Sequence, residues 1–64
     1  MKNYTITAYG YEAFPFVRSA TAENFIEAVQ LFRQLSGEGD VDFAFVIDNR
    51  TAEIIIDSRE EDWG

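Results

Sequence analysis

One stretch of the chain, "TAENFIEAVQLFRQLSG", carries a helical hydrophobic period, and everything on either side of it alternates with a period of two. Ala22, Phe25, Ala28, Val29, Phe32 and Leu35 fall on one face at 100° per residue, and Glu23, Glu27, Gln30 and Gln34 make the wet face. The spacing predicts an amphipathic helix with Thr21 as its N-cap, Glu23 in the first turn to complement the dipole, and Gly37 as the stop. A chain of 64 residues with a single such helix has one architecture open to it: that helix must cover a sheet built from the rest.

The alternating runs give the strands. "NYTITAYGYE" sends Tyr4, Ile6 and Ala8 one way and Thr5, Thr7 and Tyr9 the other, with a bend or bulge at Gly10. "AFPFVRS" gives a second strand with Phe14 and Phe16 on one face, and Pro15, which lacks a ladder donor, puts it at an edge; a hairpin around Tyr11 to Ala13 joins the two. "VDFAFVIDNRTAEIIIDS" reads as a second hairpin, with Val41, Phe43, Phe45 and Ile47 facing the core against Ala52, Ile54 and Ile56. A two-residue turn at Asn49 and Arg50 places Phe45 opposite Ile54 and Phe43 opposite Ile56, and a four-residue loop keeps the same parity. The fold class is therefore α+β, a two-layer ββαββ domain with an antiparallel four-stranded sheet and one amphipathic helix on one face. Residues 1–64 form a single domain, and 58–64 an acidic C-terminal tail.

With one helix, the second sheet face is left for solvent, a second copy or a partner. Its expected occupants are Tyr9, Tyr11, Val46, Ile55 and acids of the second hairpin. Charge makes that face informative. Residues 1–37 are neutral in sum, whereas 38–64 hold nine acids against Arg50 and Arg59 and so carry the whole net charge of -7. Such a field repels nucleic acid and anionic membrane and steers the protein to basic surfaces.

Chemistry is poorly supplied. With no cysteine and no histidine, there are no thiol nucleophiles, imidazole bases, disulfides or structural zinc sites, and Ser19, Ser36 and Ser58 lack an activating base. Paired carboxylates such as Asp42 and Asp57, neighbours across the hairpin in the register above, could share a proton or hold a divalent ion, and solvation of a sheet face explains them more simply. "GEGDVDF" lacks the spacing and closing Glu of a calcium loop, and "GEG" follows a helix rather than a strand. No enzymatic activity, cofactor or metal is expected. The N-terminus has no apolar run of signal-peptide or membrane-spanning length, so a soluble intracellular protein is expected.

The end, "DSREEDWG", sets Trp63 beside Glu60, Glu61 and Asp62. A tryptophan is a common interface anchor, so it either folds back on the open sheet face or inserts into a partner. Folding back would add these acids to the hairpin's.

In size, charge and compact α+β pattern, with "EGDVDF", "IDNRTAEIIIDSREEDW" and no cysteine, the chain resembles the small acidic inhibitors encoded by phages and mobile elements, among them DNA-mimic anti-restriction proteins and anti-CRISPR proteins. The resemblance implies a non-enzymatic inhibitor, acting in the cytoplasm of a bacterial host, whose carboxylates stand in for DNA phosphates against the basic groove of a CRISPR effector or nuclease, without binding nucleic acid or membrane itself. The residues expected to meet the partner are Glu38, Asp40, Asp42, Asp48, Glu53, Asp57, Glu60, Glu61 and Asp62, with Trp63, Tyr9 and Tyr11 as aromatic anchors. Two alternatives use the same features. An antitoxin or immunity-type antidote would rely on the aromatic anchors, and a homo-oligomerising module would pair its open face or edge strand, giving a homodimer in place of a monomer.

Overall fold

The computed structural model describes residues 2–60. Its elements are β1 (Tyr4–Gly10), β2 (Val17–Ala22), α1 (Phe25–Ser36), β3 (Val41–Asp48) and β4 (Glu53–Asp57). The four strands make one antiparallel sheet in the order β2-β1-β3-β4. β2 and β3 therefore run in the same direction on either side of β1, and α1 makes the crossover, packing against all three.

Cross-strand partners share a sheet face, so the register assigns the layers. Ile6 pairs with Ala20 and Val46, Ala8 with Arg18 and Ala44, and Tyr4 with Ala22 and Asp48. Ile6, Ala8, Ala22, Ala44 and Val46 are fully buried with Ala28 and Phe32 of α1, and they define the helix side. The alternation expected for β1 is what the structure shows. On β3 the expected parity is reversed: Ala44 and Val46 face the helix, and Phe43, Phe45 and Ile47 face the other way. Volume explains this. Alanines at 8, 22, 28 and 44 let helix and sheet approach closely, and Phe32 fills the space between, leaving no room there for two more phenylalanines.

Two irregularities break the period of two. The register shifts between Tyr9 and Gly10, where Val41 pairs with Gly10 and Phe43 with Tyr9, leaving Asp42 as the extra residue. Val41 is thereby buried in the core while Phe43, two residues on, lies on the open face. A second shift lets Val46 meet Ile56 and Ile47 meet Ile54, with Ile55 extra. Phe45 thus faces Asp57, not Ile54, and Phe43 does not face Ile56. The loop between β3 and β4 has four residues, Asn49 to Ala52, rather than two. Thr51 and Ala52 both donate their N–H to the Asp48 carbonyl, and Ala52 takes a left-handed φ of 61°.

Three local expectations are corrected. β2 begins at Val17, so Phe14 and Pro15 lie in the loop after β1, with Phe14 80% exposed, although β2 is the edge strand that Pro15 suggested. Thr21 and Ala22 belong to β2, paired with Thr5 and Tyr4, because the sheet ladder outcompetes an early helix start. The N-cap is Asn24, whose Oδ1 accepts from the Glu27 N–H at 2.8 Å, and Glu27, not Glu23, is the acid of the first turn. Phe25 then sits at the start of the helix, half exposed and edge-on to Tyr4, instead of in the core.

Candidate interaction surface

Because α1 takes one side of the sheet, no other described element covers the opposite face. Its centre is aromatic. Tyr9 of β1 stacks on Phe43 and Phe45 of β3 at 4.9 and 5.8 Å between ring centroids, and Phe43 and Phe45 lie 6.4 Å apart with nearly parallel planes. Val17, paired with Tyr9, extends this surface, and Ile47 and Ile54 continue it toward the β3–β4 loop.

The arginines decide which acids remain available. Asp57 Oδ1 accepts from the backbone N–H and Nε of Arg59, and Oδ2 accepts from Nη2 at 2.8 Å. The same clip recurs at the other end of β4, where Asp48 accepts from the backbone N–H, Nε and Nη2 of Arg50. Arg18 reaches Glu38 with Nη1 and Asp40 with Nη2, pinning the loop that follows α1. Each guanidinium also lies over a ring: Arg59 is 4.4 Å from the centroid of Phe43, Arg18 is 4.3 Å from that of Phe16, and Arg50 is 5.6 Å from that of Tyr4.

The structure therefore divides the expected acidic row. Glu38, Asp40, Asp42, Asp57 and Glu60 lie toward the end where β3 begins and β4 ends, with Tyr9 and, in the adjoining loop, Tyr11, whereas Asp48 and Glu53 pair at the far end of β3 on the face of Tyr4, about 20 Å from Asp42 and about 10 Å from Asp57. Glu38, Asp40, Asp48 and Asp57 are held in internal ion pairs. Asp42, Glu53 and Glu60 make none among the described residues. Tyr11 is half exposed, and Val46, expected on this face, is buried under the helix. Glu61, Asp62 and Trp63 lie outside the described residues, and with them the fold-back expected of the tail.

The expected pairing of Asp42 with Asp57 does not form: the register sets Asp57 opposite Phe45, where Arg59 holds it, and leaves Asp42 at the bulge. The hydrogen bonds from Arg59 hold the Asp57 carboxyl below the ordinary carboxylate range, and those from Arg50 do the same for Asp48. Reciprocally, Asp57 raises the Arg59 guanidinium, with smaller contributions from Asp42 and Glu60. A cation thus sits where a shared proton would be needed. Among the described residues no three carboxylates form a cation site, and no helix is long and apolar enough to cross a membrane.

A pH dependence follows from the two lowered carboxyls. A group with a depressed folded-state pKa stabilises above its unfolded value and loses that contribution as pH falls through the folded one. Urea denaturation midpoints are expected to hold steady from neutrality down to about pH 4 and to decline below it, as Asp48 and Asp57 take up protons. Asp57→Asn should flatten part of that decline, and an unchanged acid limb would show that the clip contributes nothing to stability.

Sequence reasoning put Tyr9 on the open face but assigned Phe43 and Phe45 to the core and gave Arg59 no role. One signal was present: the chain repeats Asp-x-Arg at 48–50 and 57–59, the spacing at which an Asp side chain accepts from a backbone N–H two residues on. No protein-family model, curated protein or solved structure matches the chain.

Proposed function

We propose that the protein is a non-enzymatic inhibitor that occupies the basic, DNA-binding surface of a CRISPR effector or restriction enzyme. The observation that carries this reading is the uncovered sheet face, where the Tyr9–Phe43–Phe45 stack adjoins Asp42, Asp57 and Glu60. Stacked rings give a partner a rigid apolar footing, and carboxylates beside them meet the lysines and arginines with which such enzymes hold phosphates. Residues 38–64 carry a net charge of -7 and the rest of the chain sums to zero, so the protein's overall field favours a cationic partner. The parts in this reading are Asp42 and Glu60 as free carboxylates, Asp57 as a fixed one, and Tyr9 and Tyr11 as anchors, while Glu38 and Asp40 are held by Arg18, which the register sets on the helix side of the sheet.

A second reading has its own support. Four of the acids are already paired to arginines, which lowers the charge offered to a DNA-binding groove and shifts weight to the aromatic surface. An antidote of the antitoxin or immunity type, seated on that surface, would use it in this way.

Capture from bacterial lysate at low and high salt, with duplex DNA as competitor, separates the two. The inhibitor reading predicts recovery of a DNA-binding enzyme that salt and duplex DNA both release, with Asp42→Asn/Glu60→Gln protein retaining less of it. A partner that stays bound in high salt and ignores DNA contradicts DNA mimicry and favours the antidote.

A further inference from the structure

We propose that the open-face stack is an arginine-docking surface, at which a partner's guanidinium takes the place that Arg59 fills in the free protein. This rests on the reading of the face as a binding surface and adds the chemistry of what binds there.

The chain itself shows that the surface accepts a guanidinium. Arg59 lies 4.4 Å from the Phe43 centroid while its Nη2 and Nε donate to the two oxygens of Asp57 at 2.8 and 3.1 Å. A ring below and a bidentate carboxylate beside it are the two recognition elements that suit arginine and suit lysine poorly, because an ammonium has neither the plane to stack nor the fork to match.

The holders and the occupant differ in exposure. The Asp57 side chain is 15% exposed and is fixed on the sheet opposite Phe45, and Phe43 is stacked on Tyr9. The Arg59 side chain is 59% exposed and follows the last strand. The Arg59 guanidinium is open to water on its outer side, and water can take over its hydrogen bonds when a partner's guanidinium displaces it. Asp42 and Glu60 add negative field at the same point, and the vacated Arg59 then has those two carboxylates to turn to. Charge complementarity thus selects a basic segment as occupant over a second, equally acidic copy of this chain.

The full chain, labelled with 15N, is titrated with acetyl-Gly-Arg-Gly-Arg-Gly-amide and with its lysine counterpart. The arginine peptide is expected to bind about two- to fivefold more tightly, the worth of an exposed cation–π contact, with the largest shifts at Asp42, Phe43 and Asp57. Arg59→Gln, which vacates the site without touching the stack, should tighten the arginine peptide by a similar factor, and Phe43→Leu should erase the preference for arginine. Equal binding of the two peptides, weaker binding by Arg59→Gln, or shifts centred on Asp48 and Glu53 would each overturn the proposal. So would concentration-dependent shifts at Phe43 without peptide, which would identify a second copy as the occupant. The titration needs no cellular partner, so it can fail while the lysate capture succeeds, and the reverse.

Discussion

Phe32→Ala is expected to leave the domain largely unfolded in water at room temperature. Phe32 is the largest fully buried side chain, 1% exposed, and sits where α1 meets Ile6, Ala44 and Val46. Truncating a buried phenylalanine costs about 3 to 5 kcal/mol, since the alanines around it are too small to close the cavity. A single small core in a chain of this length supplies about 3 to 5 kcal/mol of net stability, so the loss takes most or all of it. Urea denaturation followed by far-UV circular dichroism reads the effect directly. Phe45→Ala is the control: Phe45 lies on the open face, partly exposed, and its truncation should move the midpoint much less. Equal losses at the two positions would contradict the assignment of faces.

Gly10→Ala is the second large effect, and it arises from close approach rather than from backbone freedom. A Cβ at Gly10 would lie 2.4 and 2.5 Å from the Phe16 ring and 2.8 Å from the Phe14 carbonyl oxygen. The ring can turn aside, but the carbonyl belongs to a loop tied to β1 by the Gly10 N–H donating to the Phe16 carbonyl at 2.9 Å. Phe16 also supports Arg18, which holds Glu38 and Asp40, so displacing the ring loosens the acidic end as well. Overpacking of this kind costs about 1 to 3 kcal/mol, and the main-chain contact places Gly10→Ala toward the upper figure. Adding Phe16→Leu should recover part of the loss and not all of it, because the Phe14 carbonyl remains. A Gly10→Ala protein as stable as the parent would show that the loop does not close over β1 as described.

Much of the fold follows from pattern. The single change of hydrophobic period locates α1, and the alternation of Tyr4, Ile6 and Ala8 assigns the two faces of β1. Pro15 gives the edge position of β2 even though the strand starts two residues beyond it. What pattern could not give was the orientation of β3, because both of its parities are apolar. Val41, Phe43, Phe45 and Ile47 look like a core, and only the volume of Phe32 above the alanines, with bulges at Asp42 and Ile55, puts the aromatic set outside. The site inherited that error. Phe43 and Phe45 were hidden from a reading that buries large apolar residues, while acids such as Glu38, Asp40, Asp48 and Asp57 looked free because their arginine partners are set by register and turn geometry. The Asp-x-Arg repeat was legible and is the feature that leads from sequence to the pairing of Arg59.

The central claim is that the sheet face left open by α1 is where a partner binds. The most direct test is to add the partner captured from lysate to the 15N-labelled protein and to map the perturbed amides. Perturbations are expected to concentrate on Tyr9, Tyr11, Asp42, Phe43, Phe45 and Asp57. Perturbations confined to the outer face of α1, at Gln30, Arg33 and Gln34, would contradict it.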